Sequence, residues 1–433
     1  MSYIVSKILI TVFGVIGVVL LGACRDNAEM EKEDITDKPI TNRISNGIPC
    51  VEIYTENACT ISSKTEYVNA RIIIRINEDE LVELKGRIRG RGNATWKDYP
   101  KKPYKIKLDE SIEILGFPAN KDWVLLAEYC DKSLLRTAYM CEVSKAVGLE
   151  YTVRYKHIDL LMNGEYMGTY VLTEQVEKAK TRINIKKDGY IIKDDYYYNE
   201  EPIFLKTNTM GFTYTFKYPE AREITTDDEN FRYLSTFFDK LEKSLQIIPQ
   251  DCETYKKYID IRSFAKWFVA AEVTGNWDPN LYYVLLSKGE RLKMMPLCDA
   301  EWSLGLASQG NEEDPIGWFW PPSPPPSVDV NIWNSRKYFA YLFKDNAFVD
   351  AVKEEWMRFK QHMPEVKSAI SLKRSEIINS QKSNFERWPI LNDYIAVGLV
   401  ALGSWEAEVD YANSFFEQRV QWMDSFWGDN TVQ

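Results

Sequence analysis

The chain changes its hydrophobic periodicity once, and that change constrains the fold more than any other feature. Between residues 48 and 182, short runs alternate apolar and polar side chains, as strands with one buried face do. Lys132–Val147 interrupts these runs with helical periodicity, and Gly148 ends the helix. The runs predicted to be strands are 51–54, 70–76, 81–87, 104–108, 157–162 and 166–173. The sequence therefore predicts a β-rich N-terminal lobe with one embedded helix.

Helical periodicity dominates from about residue 228 onwards. Phe231–Leu245 places its apolar residues on one stripe, and Ile261–Val273 is apolar on most sides. Two short runs that follow, Tyr282–Leu286 and Leu292–Met295, have the pattern of a β-pair. Residues 183–433 are thus predicted to form a mainly helical C-terminal lobe, which makes the fold class α+β.

The N-terminus has the pattern of an export signal. Lys7 precedes an apolar run, Ile8–Leu21, that is shorter than the ~20 residues needed to span a bilayer. The run leads into Leu21-Gly22-Ala23-Cys24, which resembles the lipobox of bacterial lipoproteins. We therefore expect a signal peptide at residues 1–23 and lipidation of Cys24. An ordinary short membrane anchor is the alternative.

A polar, charged segment at residues 24–47 follows the expected cleavage point and is predicted to be a flexible tether. The lipid would hold the protein on a membrane of the bacterial cell envelope. The acidic character of the tether favours the outer membrane, on its periplasmic or surface face.

Composition excludes several classes of site. The formal net charge of −10 argues against nucleic acid as a partner, because such binding needs a strongly basic face. The only two histidines, His157 and His362, rule out a His-rich zinc site. Both lie in ordinary strand or helix patterns and are interpreted as structural. We expect any chemistry to depend on carboxylates, lysines and arginines.

Two basic segments have the composition of phosphate-binding elements. The glycine-rich turn at residues 86–92 carries Arg89 and Arg91, and glycines let a backbone approach an anion closely. A tight turn whose arginines pair with surface carboxylates explains the pattern equally well. In the strand at 104–108, Lys105 and Lys107 share the face opposite the apolar residues. They could point at phosphates or simply protect a solvated sheet edge.

Two acidic segments have the composition of a metal or catalytic site. Asp278 and Asn280 emerge from the end of the apolar helix into a loop, where an Asx turn is the plainer explanation. Asp299 and Glu301 are two residues apart at the end of a strand, so in an extended chain both would point to the same side. Paired oxygen ligands suit Mg²⁺ or Mn²⁺, although a polar strand end has the same sequence.

Taken in order, these segments resemble the spore-coat protein H (CotH) family. Arg89–Trp96 resembles its R-G-x-G-N-S/T-x-W stretch, and Lys101–Leu108 resembles K-K-P-Y-x-I-K-F. Trp123–Arg136 is similar to W-x-L-x-A-N-x-x-D-x-S-x-x-R, and Asn163–Val176 to N-G-x-Y-x-G-x-Y-x-L-x-E-Q-V. The segments around Asp278 and Asp299 match its two acidic motifs. The resemblance covers residues 49 to about 400.

The resemblance implies an atypical protein-kinase-like fold of two lobes that transfers phosphate from ATP to protein serines. No covalent intermediate and no histidine are needed. The resemblance implies Asp278 as the catalytic aspartate, and Asn280, Asp299 and Glu301 as ligands of Mg or Mn. It implies that Arg89 and Arg91 lie near ATP and that Lys107, or secondly Lys105, contacts the phosphates. Glu142 would pair with that lysine, and Glu174 would lie near the adenine or anchor the two lobes. We expect the acids to converge opposite the basic strand.

This sequence also departs from the family pattern. Cys298 stands where a tryptophan usually precedes Asp299, Glu301 stands where an aspartate is common, and the Asp278–Asn280 spacing is tight. Two hypotheses follow. The first is a metal-dependent kinase acting on exported or surface proteins. The second is an inactive surface lipoprotein that binds a protein or glycan partner, for example through Trp318 and Trp320, which otherwise cap the core.

Overall fold

The computed structural model describes residues 46–77, 80–306, 314–320, 334–395 and 400–428. The predicted signal peptide, Cys24 and almost all of the predicted tether lie outside these residues. Within the described ranges, no helix combines the length and the apolar character needed to cross a bilayer.

Seven strands of the N-terminal part close into a barrel in the order β1-β2-β3-β4-β5-β7-β6. Six of the seven contacts between neighbours are antiparallel, and the barrel closes where β1 runs parallel to β6. The strands are β1 Cys50–Thr55, β2 Val68–Arg75, β3 Leu81–Gly90, β4 Tyr104–Ile114, β5 Phe117–Leu126, β6 Tyr155–Met162 and β7 Glu165–Glu174. The prediction of a β-rich N-terminal region is confirmed.

The alternation in the sequence sorts side chains between the two faces of the barrel wall. Ile53, Ile88 and Trp123 lie in the barrel interior and are fully buried. Burying side chains of this size contributes about 1.5–3 kcal/mol each. In β4, Tyr104, Ile106 and Leu108 are buried inside while the intervening lysines point outward, as predicted.

A second, five-stranded sheet follows the barrel in the chain, in the order β12-β11-β8-β10-β9. Its strands are β8 Tyr190–Asp194, β9 Leu205–Lys206, β10 Thr213–Tyr218, β11 Leu281–Leu285 and β12 Lys293–Met294. The sequence predicts only the β11–β12 hairpin. The other three strands have two to six residues, too few for alternation to stand out from their polar loops. The C-terminal part is therefore helical around a sheet that the periodicity does not reveal.

The eight helices are α1 Ala94–Asp98, α2 Arg136–Ala146, α3 Glu229–Gln246, α4 Ile261–Val273, α5 Asn334–Leu342, α6 Asn346–Glu376, α7 Ser380–Arg387 and α8 Trp405–Trp427 among the described residues. Side chains fix where several of them begin. Asp228, Asp260 and Ser404 each accept a hydrogen bond from a backbone N–H of the first turn of α3, α4 and α8 respectively.

Helix α2 belongs to the helical core, not to the barrel. It packs against α4 and α6, and its buried Ala138 and Val143 share one hydrophobic cluster with Phe268 and Trp356. The prediction that this helix is embedded in the β-rich lobe is therefore wrong in its packing. The position of α2 in the sequence suggested that it belongs to the β-rich lobe. Its apolar stripe instead packs on helices that come more than a hundred residues later in the chain.

A buried ion pair ties α8 to α4. The Arg419 guanidinium lies 2.7 Å from a Glu272 carboxylate oxygen, and both side chains are fully buried. Glu272 also accepts the backbone N–H of Trp320, whose indole N–H donates to the Asn276 carbonyl at 2.9 Å. Trp320 is fully buried, so it caps the core and is not exposed for stacking on a sugar. Trp318 is half-buried and packs on the Trp422 ring at 4.7 Å.

Packing against Trp96 requires a glycine at Gly90 of the glycine-rich turn. A Cβ added there would lie 2.4 Å from the Trp96 ring, closer than any real contact allows. Gly90→Ala is expected to destabilise the protein by about 1–3 kcal/mol, because the indole must shift out of its place. Urea unfolding measures the change. In a Trp96→Ala background the same substitution should cost less, and an equal cost in both backgrounds would contradict the explanation.

Candidate functional site

The β11–β12 hairpin brings the two acidic segments together. Helix α4 ends at Val273, and the chain passes through Asp278 and Asn280 into β11 and returns along β12 to Asp299. The Asn280 backbone N–H donates to the Cys298 carbonyl at 3.0 Å, which extends the pairing beyond the hairpin strands. The Asn280 side-chain amide donates to the Asp299 carboxylate at 2.6 Å. The hairpin thus places Asn280 and Asp299 in direct contact.

Buried contacts fix the backbone on the Asp299 side. Asp299 has a left-handed φ of 72°. The side-chain amide of fully buried Asn276 donates to the Asp299 carbonyl at 2.8 Å, and Leu304 N–H donates to the Thr274 carbonyl at 2.9 Å. These contacts hold the end of the hairpin against the end of α4. We call Asp278, Asn280 and Asp299 the acidic site.

The two carboxylates of the acidic site repel each other. Burial, and after it the charge of Asp299, raises the pKa of Asp278 to about 7, while Arg336 and Lys193 act in the opposite direction. Burial also raises the pKa of Asp299, opposed by Arg91, Lys193 and the Asn280 hydrogen bond. Asp299 is nevertheless exposed to solvent. Asp299 is therefore open to solvent, while the protein around it still disfavours its charged form.

Glu301 follows Asp299 through a turn. The chain does not extend between them, so the premise of an extended strand end is wrong. The Glu301 carboxylate accepts the backbone N–H of Cys130 at 3.1 Å. Burial, then the charge of Asp299, raises the pKa of Glu301 to about 7. Its visible role is to connect this turn to the loop before α2.

A second buried ion pair anchors the same turn. Arg136 lies 2.5 Å from Asp131, and both side chains are fully buried. Arg136 also donates to the carbonyls of Ser303 at 2.9 Å and Leu304 at 3.1 Å. Asp131 in turn accepts the backbone N–H of Arg136, at the start of α2, at 2.8 Å. This pair explains the D-x-S-x-x-R spacing, because it connects α2 to the segment that follows Asp299.

The two arginines of the glycine-rich turn have different surroundings. Arg89 donates to the Lys64 carbonyl and stacks over the Tyr67 ring at 5.2 Å, so it is held within the barrel wall. Arg91 has no side-chain hydrogen bond or ion pair with any described residue, and its charge lowers the pKa of Asp299 against the larger effect of burial. Of the two, Arg91 faces the acidic site.

The two lysines of β4 share one carboxylate. Lys105 lies 2.9 Å from Asp122 and is largely buried, whereas Lys107 lies 3.9 Å away and is 40% exposed. Asp122 stands directly opposite Lys107 in the β4–β5 register. The geometry therefore favours Lys105, the second choice from sequence, as the better fixed lysine.

Glu142 does not pair with either of these lysines. Its carboxylate lies 2.7 Å from Lys145 and accepts the Tyr155 hydroxyl at 2.9 Å. The predicted pairing is wrong because α2, which carries Glu142, packs in the helical core. Asp122, on the neighbouring strand, takes the place expected for Glu142.

Glu174 is saturated by structural partners at the end of β7. It accepts from the Tyr151 hydroxyl at 3.2 Å, from the Arg154 backbone N–H at 3.0 Å and from the Arg154 guanidinium at 2.7 Å. Its side chain is almost fully buried. Of the two roles predicted from sequence, these contacts favour the anchor over an adenine contact.

Lys193 is a site residue that the sequence analysis missed. It lies on β8 opposite Tyr282 of β11, and its ammonium is 3.1 Å from Asp195. Its charge opposes the rise of the pKa of both Asp278 and Asp299. The signal was the short run Tyr190–Asp194, in which apolar residues precede two charges, but five residues do not show a clear period.

The carboxylates present can contribute to a magnesium site only together with other ligands. Among the described residues, no group of three or more His, Cys, Asp or Glu side chains is arranged to hold a metal. Mg²⁺ is commonly bound by one or two protein carboxylates, with waters and substrate phosphates completing the shell. The oxygen ligands of Asp299 and Asn280 fit that limited contribution. His157 is buried against the Leu134 carbonyl at 2.7 Å, as a structural residue.

Comparison with models of protein families matches residues 87–423 to the family described as CotH kinase protein. A search of curated proteins finds no match to this chain. The matched range includes both arginines of the glycine-rich turn, both lysines of β4 and the whole acidic site.

Proposed function

This chain belongs to the CotH kinase family, and from that premise we propose that it transfers the terminal phosphate of ATP to serine or threonine hydroxyls of exported or surface proteins. One observation carries the proposal. The β11–β12 hairpin places Asn280 2.6 Å from Asp299, with Asp278 close enough for the two carboxylates to repel.

The order of elements supports a kinase-like arrangement. In protein kinases, a catalytic-loop aspartate is followed by a metal-binding asparagine, and a second metal-binding aspartate comes later in the chain. Here Asp278, Asn280 and Asp299 follow in that order, after α4 and around a hairpin. We assign the barrel and the helical part with its sheet to the two lobes of an atypical kinase-like fold. The closed barrel is a departure from a typical kinase lobe.

Each residue of the acidic site has a distinct task in this mechanism. The Asp278 carboxylate accepts a hydrogen bond from the acceptor hydroxyl and takes its proton as the oxygen attacks the terminal phosphorus. The phosphorus bond to the ADP oxygen breaks, so ADP is the leaving group. Asn280 and Asp299 would hold a magnesium or manganese ion, which neutralises phosphate charge when it is bound. Arg91, free of side-chain partners among the described residues, binds a phosphate oxygen.

The predicted lipid on Cys24 sets the proposed location. It would retain the enzyme at the membrane of the cell envelope, so that the acceptor is an exported protein or a surface partner. Residues 1–45 lie outside the described part of the chain, and this placement depends on the sequence pattern alone.

Phosphate incorporation tests the proposal directly. The purified protein, incubated with ATP, Mg²⁺ or Mn²⁺ and a serine-containing protein, should transfer labelled phosphate, and chelation of the metal should stop the transfer. Mass spectrometry of the acceptor should locate the phosphate on hydroxyl side chains. Absence of transfer, together with no shift of the melting temperature by ATP and metal, would refute the proposed activity.

A second candidate is an inactive member of the family that binds a protein or glycan. The observation in its favour is that the Glu301 carboxylate accepts the backbone N–H of Cys130, whereas among the described carboxylates it is Asp299 that accepts a hydrogen bond from Asn280. On this hypothesis a partner captured by the protein would still bind the Asp278→Ala variant. Loss of that binding in the variant would favour the kinase.

A further inference from the structure

A β-bulge in the second sheet displaces one lysine from the regular pairing. In the β10–β8 ladder, Phe216 pairs with Ile192 and Tyr218 pairs with Ile191, so Lys217 is an extra residue between them. Bulges of this kind are common next to active sites, where they redirect a side chain. Lys217 is half-buried, yet its ammonium makes no hydrogen bond or ion pair with any described residue.

Lys217 lies on β10, next to the strand β8 that carries Lys193, and the charge of Lys105 in the barrel also acts on it. Burial and then the charge of Lys193 lower its pKa, Lys105 adds to that effect, and Glu201 and Asp195 oppose it. Lys105 is held by Asp122 at 2.9 Å and Lys193 by Asp195 at 3.1 Å, so the positions of both neighbours are fixed. Lys217, in contrast, has no such counter-charge within hydrogen-bond distance among the described residues.

The charges of these three lysines act on one another, and the charge of Lys193 also acts on the acidic site. Lys105 is on β4 of the barrel, Lys217 on β10, and Lys193 on β8, where its charge reaches Asp278 and Asp299. Three neighbouring cations suit an anion that carries several charged groups. The triphosphate chain of a nucleotide is such an anion, since it carries charge along its length. Its terminal phosphate must reach the acidic site, where transfer is proposed to occur.

We propose that Lys217, redirected by the bulge on the strand next to Lys193, is a binding residue for the triphosphate chain of the nucleotide. The proposal rests on the proposed function, because it names how the same site holds ATP. It assigns the second sheet, and not only the glycine-rich turn and β4, to phosphate binding.

Calorimetric titration with ATP and Mg²⁺ tests the role of Lys217. Lys217→Met is expected to weaken ATP binding about 10- to 100-fold, the loss typical of one hydrogen bond to a charged group. Lys217→Arg should bind ATP within a few-fold of the wild type, because it keeps the charge. AMP, which lacks the chain of phosphates, should bind both variants and the wild type equally. Lys206→Met, at an exposed lysine of β9 in the same sheet, is the matched control and should bind ATP normally.

The outcomes separate this inference from the proposed function. If the wild type binds ATP and the Lys217→Met variant binds it equally well, the inference is overturned and the kinase proposal stands. If the wild type does not bind ATP, the proposed function fails and the inference fails with it. Lys217→Gln, also neutral but polar, provides the same comparison should the methionine variant not fold, and the melting temperature identifies that case.

Discussion

Asp278→Asn is expected to slow phosphate transfer by about 10² to 10⁴-fold while ATP binding is retained, because the substitution removes the carboxylate that takes the hydroxyl proton. Asparagine has nearly the same shape, and the Asp278 side chain has no hydrogen bond to any described residue that the change would break. Single-turnover transfer measures the rate, and titration with ATP measures binding.

The same variant should be at least as stable as the wild type. Burial and Asp299 raise the pKa of Asp278 to about 7 in the folded protein, so its ionised form is disfavoured there. The resulting cost to stability is absent below the unfolded pKa of about 4, grows as pH rises, and is complete above about pH 7. Asp278→Asn should therefore raise the melting temperature at pH 8 and have little effect at pH 4. A structural role for Asp278 would give the opposite result.

Two further variants test whether a loss of phosphate transfer comes from the acidic site itself. Asp299→Asn is expected to lose metal-dependent ATP binding as well as transfer, since it removes the carboxylate beside Asn280. Glu290→Gln, in the exposed turn of the same hairpin, should transfer phosphate normally. Full activity of Asp278→Asn would contradict its assignment as the catalytic aspartate.

The fold was predictable from the sequence where strands were long and alternating. Most barrel strands follow from period-two patterns, but the closure of the barrel does not. It depends on the parallel pairing of β1 with β6, for example Cys50 opposite Asp159, and residues more than a hundred positions apart leave no local signal of such contact. The strand β5 was also missed, because its first half is polar and contains Pro118.

The site shows the same division between local and long-range information. Asn280 and Asp299 were identified from the sequence because the motifs that contain them and the hairpin that joins them are both local features of the chain. Glu142 was misplaced because the packing of α2 is decided by distant helices. The extended path expected from Asp299 to Glu301 was wrong because the sequence does not show the left-handed φ of Asp299, a conformation stabilised by long-range contacts such as that of Asn276.

Arg136→Met should cost about 3–5 kcal/mol of unfolding free energy, because it leaves the Asp131 carboxylate charged and unpaired in the core. The pair is fully buried at 2.5 Å, and the same guanidinium satisfies the carbonyls of Ser303 and Leu304. Urea unfolding measures the loss. Arg222→Met breaks an exposed pair with Glu220 and should cost less than about 1 kcal/mol.

The ion pair between Arg136 and Asp131 should affect ATP binding at the acidic site as well as the stability of the protein. Arg136 holds the turn that follows Asp299, so its loss should also weaken metal-dependent ATP binding under conditions where the variant is still folded. Arg136→Lys should not restore that binding, since an ammonium lacks the planar fork that reaches Asp131 and two carbonyls together. If Arg136→Met lost stability but bound ATP normally, the turn would have to be fixed by its other contacts, such as the Tyr411 hydroxyl donating to the Gly305 carbonyl at 3.0 Å.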